Sequence, residues 1–250
     1  MKLFLSLLLL LPSITFAQSE TEESPRKTTV LVIPYQRAMH LSDADMDIAQ
    51  GSEMDLAMMR ETFRNGLLKS LNRTFAEVND VAGVSNDFVI QSDGDESLLY
   101  HSLSFGSDTV YPKKHPSKFA VKDSLPPSVN AGKAKKESNY INVGIYDQLL
   151  LPDLARKYDN DYFLFINELD IVTHADDCLN RALKIYRRDL KVHYTIFDRQ
   201  GRQIYGDVAV SHFPSNSNDV NEIMDNNFPA IANYILASYD RARKNTGVIN

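Results

Sequence analysis

The sequence predicts an α/β protein, with a mixed sheet of about five strands and helices packed on it. Three observations carry that expectation. Apolar runs with strand composition alternate along the chain with segments whose apolar residues recur every three or four positions. One junction between two such runs has the chemistry of a tight hairpin. A chain of 250 residues, 43% hydrophobic and 24% charged, also has the material for an apolar core.

The first element is not part of that fold. MKLFLSLLLLLPSITFAQ places one cation, Lys2, before an unbroken apolar stretch from Leu3 to Leu11, with Thr15 and Ala17 at the small-residue positions of a cut after Ala17. That is the layout of a secretory signal peptide over residues 1–17, and its apolar part is too short to span a bilayer. No Cys lies near the cut, so the lipid-anchor residue is missing, and a periplasmic or extracellular location is expected. Residues 18–27 are polar and charged and read as a mobile leader. Residues 28–250 read as a single α/β domain.

Within that domain Thr28–Tyr35 (TTVLVIPY) is apolar on both parities, as in a strand buried on both faces, and Pro34 ends it. His40–Asp55 (HLSDADMDIAQGSEMD) reads as a solvated acidic loop. From Ser52 the period changes: Leu56, Met59, Phe63, Leu67 and Leu71 mark one helical face, with Ser52 and Asp55 as a capping pair. Gly66 in that helix implies a close neighbour. Asp87–Gln91 is a short second strand. Residues 92–139, rich in turn formers, prolines and charge, form a flexible insertion in which YHSLSF and KFAVKD are candidate strands. Ile141–Tyr158 suits a helix interrupted near Pro152, and Tyr162–Ile166 a central strand that Leu169 and Ile171 extend toward an edge.

LKVHYTIF then alternates: Leu190, Val192, Tyr194 and Ile196 face a core, while Lys191, His193 and Thr195 face water. Asp198 and Gly201 bound a tight turn into RQIYGDVAVSHF, with Gly201 at positive φ. The last helix shows Phe228, Ile231, Ile235 and Tyr239 on one face, Pro229 in its first turn and cations at its carboxyl end; a short helix at Val220–Met224 precedes it.

Two of these pieces, TVLVIPY followed by a long helix and VHYTIFDRQGRQIYGDV followed by the last helix, resemble the small α/β domain shared by the curli-secretion protein CsgG, the penicillin-binding-protein activator LpoB and the amino-terminal domain of TolB. The likeness spans residues 28–244 in element order. It departs at Asn167, where that group often has Gly, and at the insertion 92–139. The resemblance implies an envelope protein serving assembly, secretion or cell-wall regulation.

Composition narrows the function classes. With Lys2 removed, 26 basic face 33 acidic side chains, a net charge of −7 without a long basic cluster, which argues against nucleic acid as a partner. Cys178 is the only cysteine, so no intramolecular disulfide forms. Asp43, Asp45 and Asp47 alternate as in a calcium loop, but Ile48 stands where the loop needs Gly and Met54 where it needs Glu. With His40 they stay a candidate ligand loop. His174, Asp176, Asp177 and Cys178 lack the second His of a zinc site and read as a strand-end turn. No phosphate loop, nucleophile elbow or HExxH motif is present. Neither a catalytic residue, a cofactor nor a metal is expected.

Two Asp-Ser/Thr-apolar triplets in the insertion, Asp108-Thr109-Val110 and Asp123-Ser124-Leu125, suit surface O-glycosylation. Arg187, Arg188, Lys191, Arg199 and Arg202 lie near Tyr186, Tyr194 and Tyr205 around the hairpin, a composition favoured at docking surfaces. The reading is thus an exported, non-enzymatic protein that docks onto another envelope protein, with Arg187, Tyr194, Arg199, Arg202 and Tyr205 as contacts. Its competitor is a small-ligand binder or hydrolase with a pocket at the carboxyl ends of the strands.

Overall fold

Strand β1 (Val30–Ile33) is buried at every position, and its parity sets the layers. Val30 and Val32 enter one apolar cluster, while Leu31 and Ile33 enter a second on the opposite face. In the computed structural model, which describes residues 28–77, 93–109 and 139–245, β1 pairs in parallel with the long strand β5 (Tyr162–Asn180). Antiparallel neighbours follow: β6 (Ile185–Asp198) on β5, then β7 (Gln203–Pro214) on β6. A short strand β2 (His40–Ser42) pairs in parallel with the distal part of β5, giving a mixed five-stranded sheet of order β1-β5-β6-β7 with β2 beside β5. The fold is α/β, as the alternation of elements predicts.

The inner face carries α1 (Asp45–Gly51), α2 (Leu56–Glu77) and α5 (Val220–Asn245). Met59, Phe63, Leu67, Leu71 and Phe75 form a fully buried stripe of α2 at four-residue steps, and Phe228, Ile231, Ile235 and Tyr239 of α5 meet it. Burying each aromatic ring contributes about 2–3 kcal/mol. At Gly66 α5 leaves no room for a side chain: a Cβ there would lie 2.2 Å from Met224 Sδ.

The outer face is covered by α4 (Leu150–Tyr158), α3 (Asp93–His101) and a second, two-stranded sheet of β3 (Leu103–Thr109) and β4 (Asn139–Ile145). Leu150, Leu151 and Leu154 of α4 pack with Leu99 and Val143 on Leu31, Ile33, Phe163 and Phe165. The flanks of the insertion are therefore ordered as helix, strand and returning strand. YHSLSF supplies the end of α3 and the start of β3, whereas KFAVKD, the strand expected at Asp87–Gln91 and the triplet Asp123–Leu125 lie outside the described residues.

Several local expectations are corrected. Ile141–Ile145 is strand, because its partner β3 satisfies its backbone and Tyr140 and Val143 are buried under it; the helix starts at Leu150. The acidic stretch is not a loop: it holds β2 and α1, whose first turn places Asp45 and Asp47 at the positive end of the helix. The start of the expected insertion is helical, because α3 begins at Asp93. Asp55 alone caps α2, accepting the Met58 N–H at 2.7 Å. Ser52 faces the other way, its Oγ accepting the Val220 N–H at 2.8 Å and donating to Asn218 O at 3.2 Å, so it ties α1 to the start of α5. Residues 220–245 form one helix with Pro229 inside it.

The hairpin turn is as expected. Gly201 has φ +79°, and Asp198 Oδ1 accepts the N–H groups of Gln200 and Arg202, each at 3.0 Å. The expectation of a wet β6 face is not met: His193 and Thr195 are buried, because β4 crosses over them.

Candidate functional site

Of the residues expected to form a ligand loop, His40 and Asp45 meet each other, while Asp43 and Asp47 are engaged elsewhere. Asp43 accepts the Thr173 N–H at 2.8 Å and its hydroxyl at 2.9 Å, fastening β2 to β5. Asp47 pairs with Arg188 at 2.7 Å. Asp45 lies 3.1 Å from His40 Nε2 and accepts from Arg60 Nε at 2.7 Å, while His40 Nδ1 is 3.4 Å from the Tyr35 hydroxyl. Burial pushes the Asp45 carboxyl up, but bonds from His40 and Arg60 outweigh it and leave the pKa below the ordinary value. The His40 side chain is fully buried, and this Tyr–His–Asp–Arg chain ends at a half-exposed guanidinium.

The hairpin residues are likewise engaged. Tyr194 is completely buried in the inner core, where a partner cannot reach it. Tyr205 stacks on it and donates to Asp207 at 3.1 Å. Arg187 pairs with Asp177 at 2.6 Å and Asp189 at 3.0 Å, Arg199 with Asp161 at 3.4 Å, and Arg202 with Asp198 at 2.7 Å. The stretch His174–Cys178 is strand, not turn. His174 and His212 both bond Asp189, at 2.8 and 2.7 Å, and these bonds overcome the effect of burial and pull its pKa down to about 2.

One group that sequence reasoning missed stands apart. β5 carries a bulge: Ile166 pairs with Tyr194 and Glu168 with His193, leaving Asn167 as the extra residue. The bulge reverses parity. Tyr162, Leu164 and Ile166 face the inner core before it, and Leu169 and Ile171 after it. Asn167 and Glu168 consequently both turn outward, followed by Asp170. Asn167 Nδ2 donates to Thr195 Oγ1 at 2.8 Å and to Ile141 O at 2.7 Å, which docks β4 over the bulge. The docking continues along β4: Tyr140 OH accepts from Gln203 at 2.7 Å and fills a space where a Cβ on Gly206 would lie 2.1 Å from it.

The Ile141 N–H of β4 donates to His193 Nδ1 at 3.0 Å. In neutral His193 the hydrogen is therefore on Nε2. That atom lies 3.5 Å from Asp170 Oδ2 and 3.9 Å from Glu168 Oε1, and one ligand atom from each of the three side chains falls within 4.8 Å of the others. The side chains of His193 and Glu168 are each 7% exposed and that of Asp170 19%. Among the described residues His193 Nε2, Asp170 Oδ1 and Asn167 Oδ1 are buried with no hydrogen-bond partner. The Glu168 carboxyl is pushed up to about 7, first by burial, then by the charge of Asp170 and the hydrogen bond between the two.

The sequence contained a signal for this group. Asn167, Glu168 and Asp170 interrupt an apolar strand, and Glu-x-Asp places two acids on one face. The partner, His193, was hidden by the assumption that its face is wet.

No family model, curated protein or solved structure matches this chain. No helix among the described residues is long and apolar enough to cross a membrane.

Proposed function

We propose that the chain is an exported, non-enzymatic envelope protein that works by docking onto a partner, and that the contact is made by the far end of the β5–β6 ribbon. The carrying observation is an arm. The β6–β7 ladder ends at Arg187 and Pro214, but β5 and β6 stay paired to Asn180 and Ile185. At the tip Leu179 and Leu183 are 55% and 69% exposed, with exposed Arg181 and Lys184 beside them. Two leucines held in water on a paired ribbon suit an apolar notch in the partner, and the cations suit an acidic rim around it. The signal-peptide layout of residues 1–17 and the resemblance to envelope proteins of assembly, secretion or cell-wall regulation support the setting.

The test is capture of partners from envelope extracts by the tagged full chain, with covalent cross-linking. The double variant Leu179→Ser, Leu183→Ser is expected to lose the cross-linked species while keeping its far-ultraviolet circular dichroism. Undiminished cross-linking by that variant overturns the arm as the contact.

A second reading, a small-ligand binder, rests on an open cleft of about 410 Å³ just beyond the carboxyl end of β1, lined by Gln36, Arg37, Ala38, Arg64, Tyr100 and His101. Its charge suits a small anion. The acids expected to build such a pocket line none of it.

A further inference from the structure

We propose that the partner of the β5–β6 ribbon is a second copy of this chain. Two ribbons lie antiparallel about a two-fold axis, and each tip sits on the exposed face of Met46, Leu56 and Met58 at the foot of the other ribbon. That partner rests on the docking reading above, whose contact it specifies.

The receiving face is fixed to the ribbon's foot. Asp43, just past β2, accepts from Thr173 of β5, and Asp47 of α1 pairs with Arg188 of β6. Thr173 and Arg188 face each other in the ladder, one step inside Arg187, where the pairing with β7 ends. Between the bonded Asp45 and Asp47, Met46 stands 70% exposed. Arg60 bonds Asp45 at 2.7 Å and so holds the first turn of α2 beside α1, with Leu56 and Met58 39% and 56% exposed. Methionine is unbranched and flexible, so such a face adapts to a leucine pressed against it.

The reach matches. Beyond His174, β5 runs on to Asn180, a free length of roughly 20 Å at strand rise. Two ribbons of that length laid antiparallel put each tip at the other's foot. A two-fold axis closes the assembly and makes the contact twice, so a small tip contributes two patches to one interface.

Charge selects the orientation. Residues 179–185 carry Arg181 and Lys184 and no acid, and neither cation has an ion pair among the described residues. Residues 43–58 carry Asp43, Asp45, Asp47, Glu53 and Asp55 and no Lys or Arg. Arg60 answers Asp45 and Arg188 answers Asp47, whereas Asp43, Glu53 and Asp55 meet no cation among the described residues. A basic leucine tip and an acidic methionine face therefore occur on one chain, complementary in both hydropathy and sign. The tip is also set in advance: Asn180 Oδ1 accepts the Leu183 N–H at 3.1 Å and holds the turn, which lowers the ordering cost of docking.

The experiment is an exchange of charge between two variants of the full chain. One carries Arg181→Glu and Lys184→Glu at the tip. The other carries Gln50→Lys and Glu53→Lys at the face, where Gln50 follows Met46 by one helical turn. All four side chains are exposed and none makes a hydrogen bond or ion pair among the described residues, so circular dichroism should be unchanged. Sedimentation of wild type at about 100 μM should show a dimer, and either variant alone should associate at least about tenfold more weakly. Mixed in equal amounts, the two variants should return to within about threefold of wild type, because each acidic tip then meets a basic face and each basic tip an acidic one.

A mixture that associates no better than its components overturns the second copy as partner, as does a dimer indifferent to both variants. A monomeric wild type whose cross-links to an extract protein still depend on Leu179 and Leu183 overturns it too, while leaving the docking reading in place. Indifference to the tip in both experiments removes the two together.

Discussion

Two buried histidine–carboxylate groups lie on opposite faces of the same sheet and are built to opposite ends. On the inner side His40 is held between Tyr35 and Asp45, and Arg60 closes the chain with a full positive charge, so Asp45 stays ionised. On the outer side His193 faces two carboxylates and no arginine, and Glu168 keeps its proton toward neutral pH. The residue types nearly match; the carboxyl shifts run in opposite directions. A carboxylate bonded by a guanidinium stays ionised, whereas a buried carboxyl beside a second acid holds its proton to higher pH.

Four substitutions break or sharpen that contrast. Asp45→Ala has the largest effect expected: it orphans a fully buried imidazole and a half-exposed guanidinium, and urea melts at pH 7 should show a loss of about 3 kcal/mol. Glu168→Gln should act in the opposite direction. The folded pKa of Glu168 is raised, so the native state holds a proton that the unfolded chain gives up from about pH 4.5, and wild-type stability falls as pH rises from there through about 7. In metal-free buffer the amide variant should therefore exceed wild type by about 2 kcal/mol at pH 8 and match it near pH 4.5. A variant less stable than wild type at pH 8 would erase the distinction between the two groups.

Asp189 offers a third case, satisfied by His174, His212 and Arg187. Its folded pKa is lowered, so its contribution is complete above the unfolded value near 4 and disappears as pH falls through about 2. Asp189→Asn should cost about 1–2 kcal/mol at pH 7, a difference that closes across that acid window in pH-dependent melts. Arg202→Ala removes a partner that is 75% exposed from Asp198, and the melting curve should move by less than about 0.5 kcal/mol.

The inner half of the molecule was legible because its signals are periodic. The four-residue steps of α2 and the apolar parity of β6 arise from burial on one face, and the Asp-x-x-Gly turn from local hydrogen bonds and a positive φ. The outer half was not. Strand β4 lies in a stretch where INVGIY runs on into QLLLPDLARKY, and local pattern could not separate a strand from the helix behind it. Its pairing with β3 is a contact between Leu103 and Ile145 across the insertion, which no local window contains. Because β4 was missed, His193 and Thr195 looked wet, and the cluster they border stayed invisible. The aspartates near residue 45 drew attention through spacing, yet neighbours distant in sequence, Thr173, Arg60 and Arg188, decide what each one does.

The single residue Asn167 acts as a reading-frame device for the sheet. If it took an ordinary place in the ladder, opposite His193, every side chain beyond would change sides: Leu169 and Ile171 would turn outward while Glu168 and Asp170 entered the oily interior. The ribbon therefore tolerates the loss of this residue better than its pairing. Its far half keeps its facing only as long as that one asparagine is left uncounted.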